Sequence, residues 1–148
     1  MNKIVIFDLD GTLALIDERR KISTKPNGKL DWKKFFDPSN IKLDKPNLTI
    51  INMAVTLART NHSIYILSGR SESTFIATKH WLNENQVPYK KLFMRPIKDF
   101  TPDDVLKQNW LNEIGKDNVI CAFDDRNKVV DMWRANDIPC FQVAEGDF

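Results

Sequence analysis

Short apolar runs that break off on acidic or hydroxyl residues restrict the fold of this chain more than any other feature. Lys3-Ile-Val-Ile-Phe7 is continuous rather than alternating, and Asp8 and Asp10 follow it at once. An alternating run would leave one face to water, whereas a continuous one reads as a strand buried on both faces. Ser63–Leu67, Val119–Phe123 and Pro139–Val143 repeat the pattern, and Lys91–Met94 is a weaker copy. Helical stretches lie between these runs. Leu48–Thr60 shows apolar residues at helical spacing after Asn47, a capping residue type. Ser71–Asn85 opens on a Ser-rich cap, carries Phe75, Ile76, Trp81 and Leu82, and stops before Val87-Pro88. Thr101-Pro-Asp-Asp104 reads as a cap with Pro at the first helical position, leading into Val105–Ile114 and then Gly115. Arg126–Asn136 supplies a last amphipathic helix. Strand and helix in alternation predict an α/β fold, its sheet mainly parallel and covered by helices on both faces.

The 148 residues, 42% hydrophobic and 28% charged, match one soluble domain of the usual size of about 100–200 residues. No apolar run approaches the roughly 18 residues that a membrane span needs. The N-terminus passes straight into the first strand without the apolar stretch and cleavage site of a signal peptide. Cys121 and Cys140 sit in apolar, strand-like surroundings and read as buried free thiols of a reducing compartment. The expectation is a cytoplasmic protein with no membrane partner.

Residues 13–46 do not fit the alternation. Such a length of loop is unusual in a compact domain unless it has structure or a function of its own. The expectation is a small cap insertion at about 14–46, with one short helix around Asp31–Phe36. Trp32, Phe35 and Phe36 form an aromatic knot there, read first as the cap's own small core and second as a surface that stacks a base. Within Arg19–Lys34 seven basic residues face the single acid Asp31. The net charge of +2 is therefore the sum of a basic segment and an acidic remainder.

Asp8-Leu-Asp-Gly-Thr-Leu13 ends the first strand. Carboxylates at i and i+2 of an extended chain point to one side, and open α/β sheets bind ligands beyond the carboxyl ends of their strands. Like charges held close require a cation or a shared proton. Gly11 permits an unusual turn, and Thr12 supplies a hydroxyl and an amide to an anion. Cys121-Ala-Phe-Asp124-Asp125 ends another buried strand on adjacent acids, an oxygen-rich set that suits Mg²⁺. Leu67-Ser68-Gly69-Arg70 places a hydroxyl and flexible backbone at a third strand end, and Lys107 adds a cation on a helix. Trp81, Trp110 and Trp133 read as core residues, and His62 and His80 lack metal-ligand spacing.

Taken together, Asp8-x-Asp10-Gly-Thr, Ser68, Lys107 and Asp124-Asp125 resemble, in order, the four motifs of the haloacid dehalogenase (HAD) superfamily of phosphotransferases. The resemblance spans nearly the whole chain and leaves out only the cap. It implies one phosphatase domain over residues 1–148, a Rossmann-like, HAD-type three-layer fold with strand order 3-2-1-4-5, and Mg²⁺ as cofactor. Asp10-Gly-Thr-Leu-Ala-Leu15, Ser68-Gly-Arg70, Asp103-Asp-Val-Leu-Lys107 and the tail from Ala122 to Phe148 further resemble the phosphatase half of phage polynucleotide kinase–phosphatase. That half removes 3′-phosphates from nucleic-acid ends. A kinase loop of the form G-x-x-x-x-G-K-[ST] is absent, since Ser23 stands where Gly28-Lys29 would require its first glycine. A separate kinase or ligase is therefore the expected partner.

The resemblance implies roles. Asp8 is the nucleophile and Asp10 the general acid and base. Ser68 and Lys107 hold the transferring oxygens, and Asp103 orients Lys107. Thr12 and Gly69 contact the phosphate, and Arg19 and Arg70 fork onto it or its neighbour. Asp8, the carbonyl of Asp10, Asp124 and Asp125 hold Mg²⁺. The substrate expected first is a 3′-phosphorylated DNA or RNA end or a nucleoside 3′-phosphate. A phosphatase for small metabolites and a non-catalytic module that binds nucleic-acid ends are the two alternatives.

Overall fold

The computed structural model describes residues 3–148, so Met1 and Asn2, where the reading of the N-terminus began, lie outside it. Strand β1 covers Ile4–Phe7. After an insertion, helix α3 (Leu48–Arg59) returns the chain to β4 (Ser63–Ser71). Helix α4 (Phe75–Glu84) then leads to β5 (Lys91–Arg95), and α5 (Asp103–Ile114) to β6 (Val119–Asp124). Helix α6 (Asn127–Ala135) and β7 (Cys140–Gln142) complete the chain. The sheet runs β5-β4-β1-β6-β7, every pair parallel. Counted by its own strands it has the expected 3-2-1-4-5 order.

The continuous apolar runs are explained by two cores. Val5, Phe7, Ile64, Ile66, Cys121 and Phe123 pack on one face with Ile51 and Ala54 of α3 and Trp81 and Leu82 of α4. Their neighbours Ile6, Tyr65, Leu67 and Ala122 pack on the other with α5 and α6, through Leu106, Trp110, Val130 and Trp133. Side chains alternate across each strand, so a strand with a core on both sides has no position left for a polar residue. All three tryptophans read as core are buried.

The insertion is closed at its base. Strands β2 (Ala14–Leu15) and β3 (Lys45–Pro46) form a two-stranded antiparallel ribbon in which Ala14 pairs with Pro46. Between them lie α1 (Asp17–Ser23), α2 (Trp32–Phe35) and a 3-10 segment, Pro38–Leu43. Helix α2 is the short helix expected near Asp31–Phe36, with the Asp31 side chain accepting from the Lys34 amide as N-cap. Helix α1 has no apolar periodicity to announce it. Its buried residues are Arg19 and Ser23, so a charge, not a hydrophobe, faces inward.

Some boundaries differ from expectation. Helix α4 begins at Phe75 rather than at Ser71, because β4 runs on to Ser71 and a 3-10 turn, Glu72–Thr74, follows it. Helix α5 begins one residue later than the cap at Thr101 implied, with Pro102 itself at the N-cap. Asn47 sits at the N-cap of α3 but its side chain makes no cap bond there. Its amide donates instead to the Thr12 carbonyl at 2.9 Å, tying the helix to the loop after β1.

Candidate active site

In a parallel sheet the carboxyl ends of neighbouring strands meet on one edge, which brings Asp8 after β1, Ser68 in β4 and Asp124 at the end of β6 together. The loop after β1 closes tightly: the Leu9 carbonyl accepts the amides of Thr12, Leu13 and Ala14 at 2.9–3.2 Å. Gly11 makes the turn possible with φ +82°, and a Cβ there would lie 2.1 Å from Asp125 Oδ2. Both backbone conformation and space demand glycine.

Lys107 binds the first group of acids. Its Nζ donates to Asp8 Oδ1 and to Asp124 Oδ2, each at 2.8 Å. Thr12 Oγ1 donates to the other Asp8 oxygen at 3.2 Å. Asp124 is committed on both oxygens: Oδ1 accepts the Asp125 amide, and Oδ2 also accepts the Trp133 indole N–H at 3.3 Å. Oxygens of Asp8, Asp124 and Asp125 lie within 4.8 Å of one another. All three residues are buried. Three carboxylates share one ammonium, which leaves two negative charges without a partner. Burial, followed by the charge of Asp124, accordingly drives the Asp8 carboxyl well above its ordinary value. Burial likewise pushes Asp125 up. Burial alone would lower the Lys107 pKa, but Asp124 and Asp8 hold it above normal. The donor set and its charge deficit fit a divalent, oxygen-seeking cation.

Asp10 belongs to a second group whose charges cancel. Its Oδ1 accepts from Arg19 Nη2 and Arg70 Nε, each at 2.8 Å. Asp44 takes the far side of both guanidiniums, accepting Arg19 Nε and Nη2 at 2.9 Å and Arg70 Nη2 at 2.6 Å. Burial would raise the Asp10 carboxyl, but the Arg70 and Arg19 guanidiniums outweigh it and hold it below the ordinary value. For Asp44 burial wins and the carboxyl is raised. The Asp10 bonds to both arginines all end on Oδ1, and Asp10 lines a cavity of about 1200 Å³ together with Asp8, Lys107, Asp124 and Asp125.

Three expectations change here. Arg19 and Arg70 do not form a free fork, because their side chains are buried and bound to Asp10 and Asp44. Asp103 does not orient Lys107; its carboxylate is held by Arg95 and Arg126, and it packs against Gly69, whose missing Cβ leaves it room. Ser68 is 1% exposed, and its Oγ accepts the Arg70 amide. Neither it nor Thr12 lines the cavity, whereas Gly69, Arg70 and Asp103 do. Sequence reasoning missed Asp44, Arg95 and Trp133. Arg95 ends a parallel strand on the ligand-binding edge, a position that could have drawn attention to it; Asp44, between Leu43 and Lys45, had no such signal.

The family model for the polynucleotide kinase PNKP phosphatase domain matches residues 2–148. A protein of Autographa californica nuclear polyhedrosis virus, named as a bifunctional polynucleotide kinase/RNA ligase, is 35% identical over 142 residues, covering 93% of this chain and 18% of that protein. A solved Pnkp1/Rnl/Hen1 complex contains a chain 32% identical to this one, with TM-score 0.81. That match covers all of this chain and 48% of the other. A HAD family enzyme of Bacteroides thetaiotaomicron, solved with magnesium and inorganic phosphate, shares the fold at 13% identity and TM-score 0.61, over 100% of this chain and 97% of that one. This chain thus spans less than half the length of the two closer relatives. It is a phosphatase domain of the HAD superfamily and belongs to the family of polynucleotide kinase PNKP phosphatase domains.

Proposed function

We propose that this domain hydrolyses 3′-phosphates of nucleic-acid ends through an aspartyl-phosphate. The observation that carries the chemistry is the pairing of two unlike carboxylates on one cavity: Asp8, fixed by Lys107 and Thr12, and Asp10, fixed through Oδ1 alone. Unequal environments are what a nucleophile and a proton carrier need. Membership of the family supports a nucleic-acid end as substrate.

An Asp8 carboxylate oxygen attacks phosphorus in line, and the bond from phosphorus to the 3′-oxygen breaks. Asp10 Oδ2 delivers a proton to that leaving oxygen. In the resting site the two arginines keep Asp10 ionised, so the proton enters with the substrate, whose second phosphate pKa of about 6 leaves a monoanion fraction near neutrality. In the second step a water attacks the aspartyl-phosphate and gives its proton to Asp10, the bond from phosphorus to Asp8 breaks to release inorganic phosphate, and Asp10 passes the proton to solvent, restoring both carboxylates. Lys107 stands beside the reacting oxygens as charge redistributes. Mg²⁺ would be held by Asp8, the Asp10 carbonyl and Asp125, with Asp124 supporting through Lys107; when bound it offsets repulsion between carboxylate and phosphate. Residues 14–46 act as the cap over this site.

Matched oligonucleotides bearing a 3′- or a 5′-phosphate, a 3′-mononucleotide and a sugar phosphate, incubated with Mg²⁺, test the reading. Phosphate release from the 3′-ends is expected, and abolished in Asp8→Asn. No release from any 3′-phosphate sinks the proposal, and preference for the sugar phosphate moves the domain to small metabolites. An active Asp8→Asn protein refutes the covalent route.

A further inference from the structure

Among the aromatic side chains that line the cavity over the carboxylates, Trp32 and Phe100 are the most exposed, and the chemistry uses neither. Trp32 is 60% exposed and Phe100 is 90% exposed, and both line the same space as Asp8 and Asp10. Scattered exposed hydrophobes are ordinary on a protein surface. These two are distinguished by how firmly they are held. The Arg95 guanidinium donates to the carbonyls of Asp99 and Thr101, on either side of Phe100, and to the carbonyl of Gly69. The Asp99 carboxylate accepts the Thr101 amide at 2.8 Å. The backbone flanking Phe100 is therefore pinned while its ring stands in solvent.

Trp32 is held differently. Its ring stacks on Phe36 at 5.7 Å and meets the edge of Phe35 at 5.8 Å. Phe35 is buried beneath, with the Arg19 guanidinium 4.4 Å from its ring centroid and its carbonyl accepting Arg19 Nη1. The knot thus has both characters expected of it. Phe35 is core, resting on the arginine that holds Asp10, and Trp32 is an outward platform stacked on Phe36 and Phe35. Arg20, Lys98 and Lys128 line the same cavity.

We propose that Trp32 and Phe100 are base-stacking platforms for the unpaired strand that leads to the 3′-phosphate, an inference that rests on the phosphatase reading above and deepens it. Flat, exposed rings carried on fixed backbone suit the π-face that every nucleobase offers, and the lysines and Arg20 suit its phosphates. A sugar phosphate has no such face. A paired terminal base would first have to leave its stack, so the platforms favour single strands.

The readout is a ratio: kcat/KM on a 3′-phosphorylated single strand over kcat/KM on β-glycerol phosphate. Trp32→Ala and Phe100→Ala should each lower it by about 5- to 150-fold, the usual effect of removing one stacking ring. Trp32→Phe should recover most of the loss, and Trp32→Leu should not. DNA and RNA strands are run side by side, and a lowered ratio with either supports the platform. An unchanged ratio with both overturns it, as does equal loss on both substrates. Phe100 has no packing to lose, so its variant stays informative if Trp32→Ala folds poorly. Binding of a labelled 3′-hydroxyl strand, read by anisotropy, separates the two claims. Wild-type protein that binds the strand but releases no phosphate sinks the phosphatase reading alone. Strand binding that Trp32→Ala and Phe100→Ala leave unchanged sinks the platform alone.

Discussion

Asp44→Asn removes one charge and changes no shape, which makes it a sharp probe of the buried quartet of Asp10, Asp44, Arg19 and Arg70. The Asp44 side chain is fully buried, as are both arginine side chains, and its carboxylate accepts three charged N–H bonds. An asparagine offers one acceptor oxygen, and its NH₂ group would point donors at guanidiniums that already carry only donors. Two buried cations would then share Asp10 alone. Removing one partner of a buried ion pair costs about 3–5 kcal/mol, a large share of the roughly 5–15 kcal/mol that holds such a domain together. At about 2–4 °C per kcal/mol for a chain of this size, Tm should fall by roughly 6–20 °C. Thermal unfolding followed by circular dichroism measures it. Adding Arg19→Met to Asp44→Asn removes the stranded charge, so the double variant should be less destabilised than the sum of the singles, with coupling of at least about 1.5 kcal/mol. Turnover should fall as well, because Arg19 and Arg70 lose the anchor that fixes them against Asp10 Oδ1. A Tm change below about 3 °C, or strict additivity in the double variant, would refute the argument that the quartet is a closed electrostatic unit.

Mg²⁺ should raise Tm, and by more at pH 8 than at pH 5. The folded-state pKa values of Asp8 and Asp125 are raised above 3.8, so without metal these groups favour the fold while protonated and lose that contribution as pH rises through their folded pKa. Metal requires them ionised, so its stabilisation grows over the same window; a shift independent of pH in fluorimetric melts would contradict this. Gly11→Ala forces φ +82° on a residue with a Cβ placed 2.1 Å from Asp125 Oδ2. It should cost at least about 1–2 kcal/mol and, by displacing Asp125, shrink the Mg²⁺-induced rise in Tm, both visible in the same melts.

What could be read from the residues divides along physical lines. The five-stranded sheet was legible because its strands lie between two cores, and burial on both faces writes a continuous apolar run such as Ile4–Phe7. The acids at the strand ends were legible because topology alone carries Asp8 and Asp124 to one edge. Helix α1 was not, since its inward face is Arg19, and no hydrophobic period can report a buried charge. Asp44 was hidden for the same reason: its partners Arg19 and Arg70 lie 25 and 26 residues away, and nothing local distinguishes it from a solvated acid. The basic character of Arg19–Lys34 was legible as a total but not as a division. Arg19 is consumed internally, whereas Arg20 lines the cavity.

That division bears on how the cap relates to the core. The ribbon of Ala14–Leu15 with Lys45–Pro46 fixes where the insertion begins and ends, but it is too short to set the cap's angle over the site. The quartet does that together with Phe35 and Ile41, which are buried in the same core as Ile51, Ala54 and Trp81. Arg19 comes from the insertion, Arg70 from β4, Asp10 from the loop after β1 and Asp44 from the returning chain, so the insertion docks through the bonds that hold Asp10. The Trp81 indole, donating to the Asp44 carbonyl at 2.9 Å, adds a contact from α4. Arg19 and Phe35 of the insertion are therefore tied to Asp10, while Trp32 and Arg20 line the cavity and take no part in the quartet. Substrate preference can change at Trp32 and Arg20 without disturbing Asp10. A cap transplanted without Arg19 and Asp44 should leave the acid unaimed even if it folds.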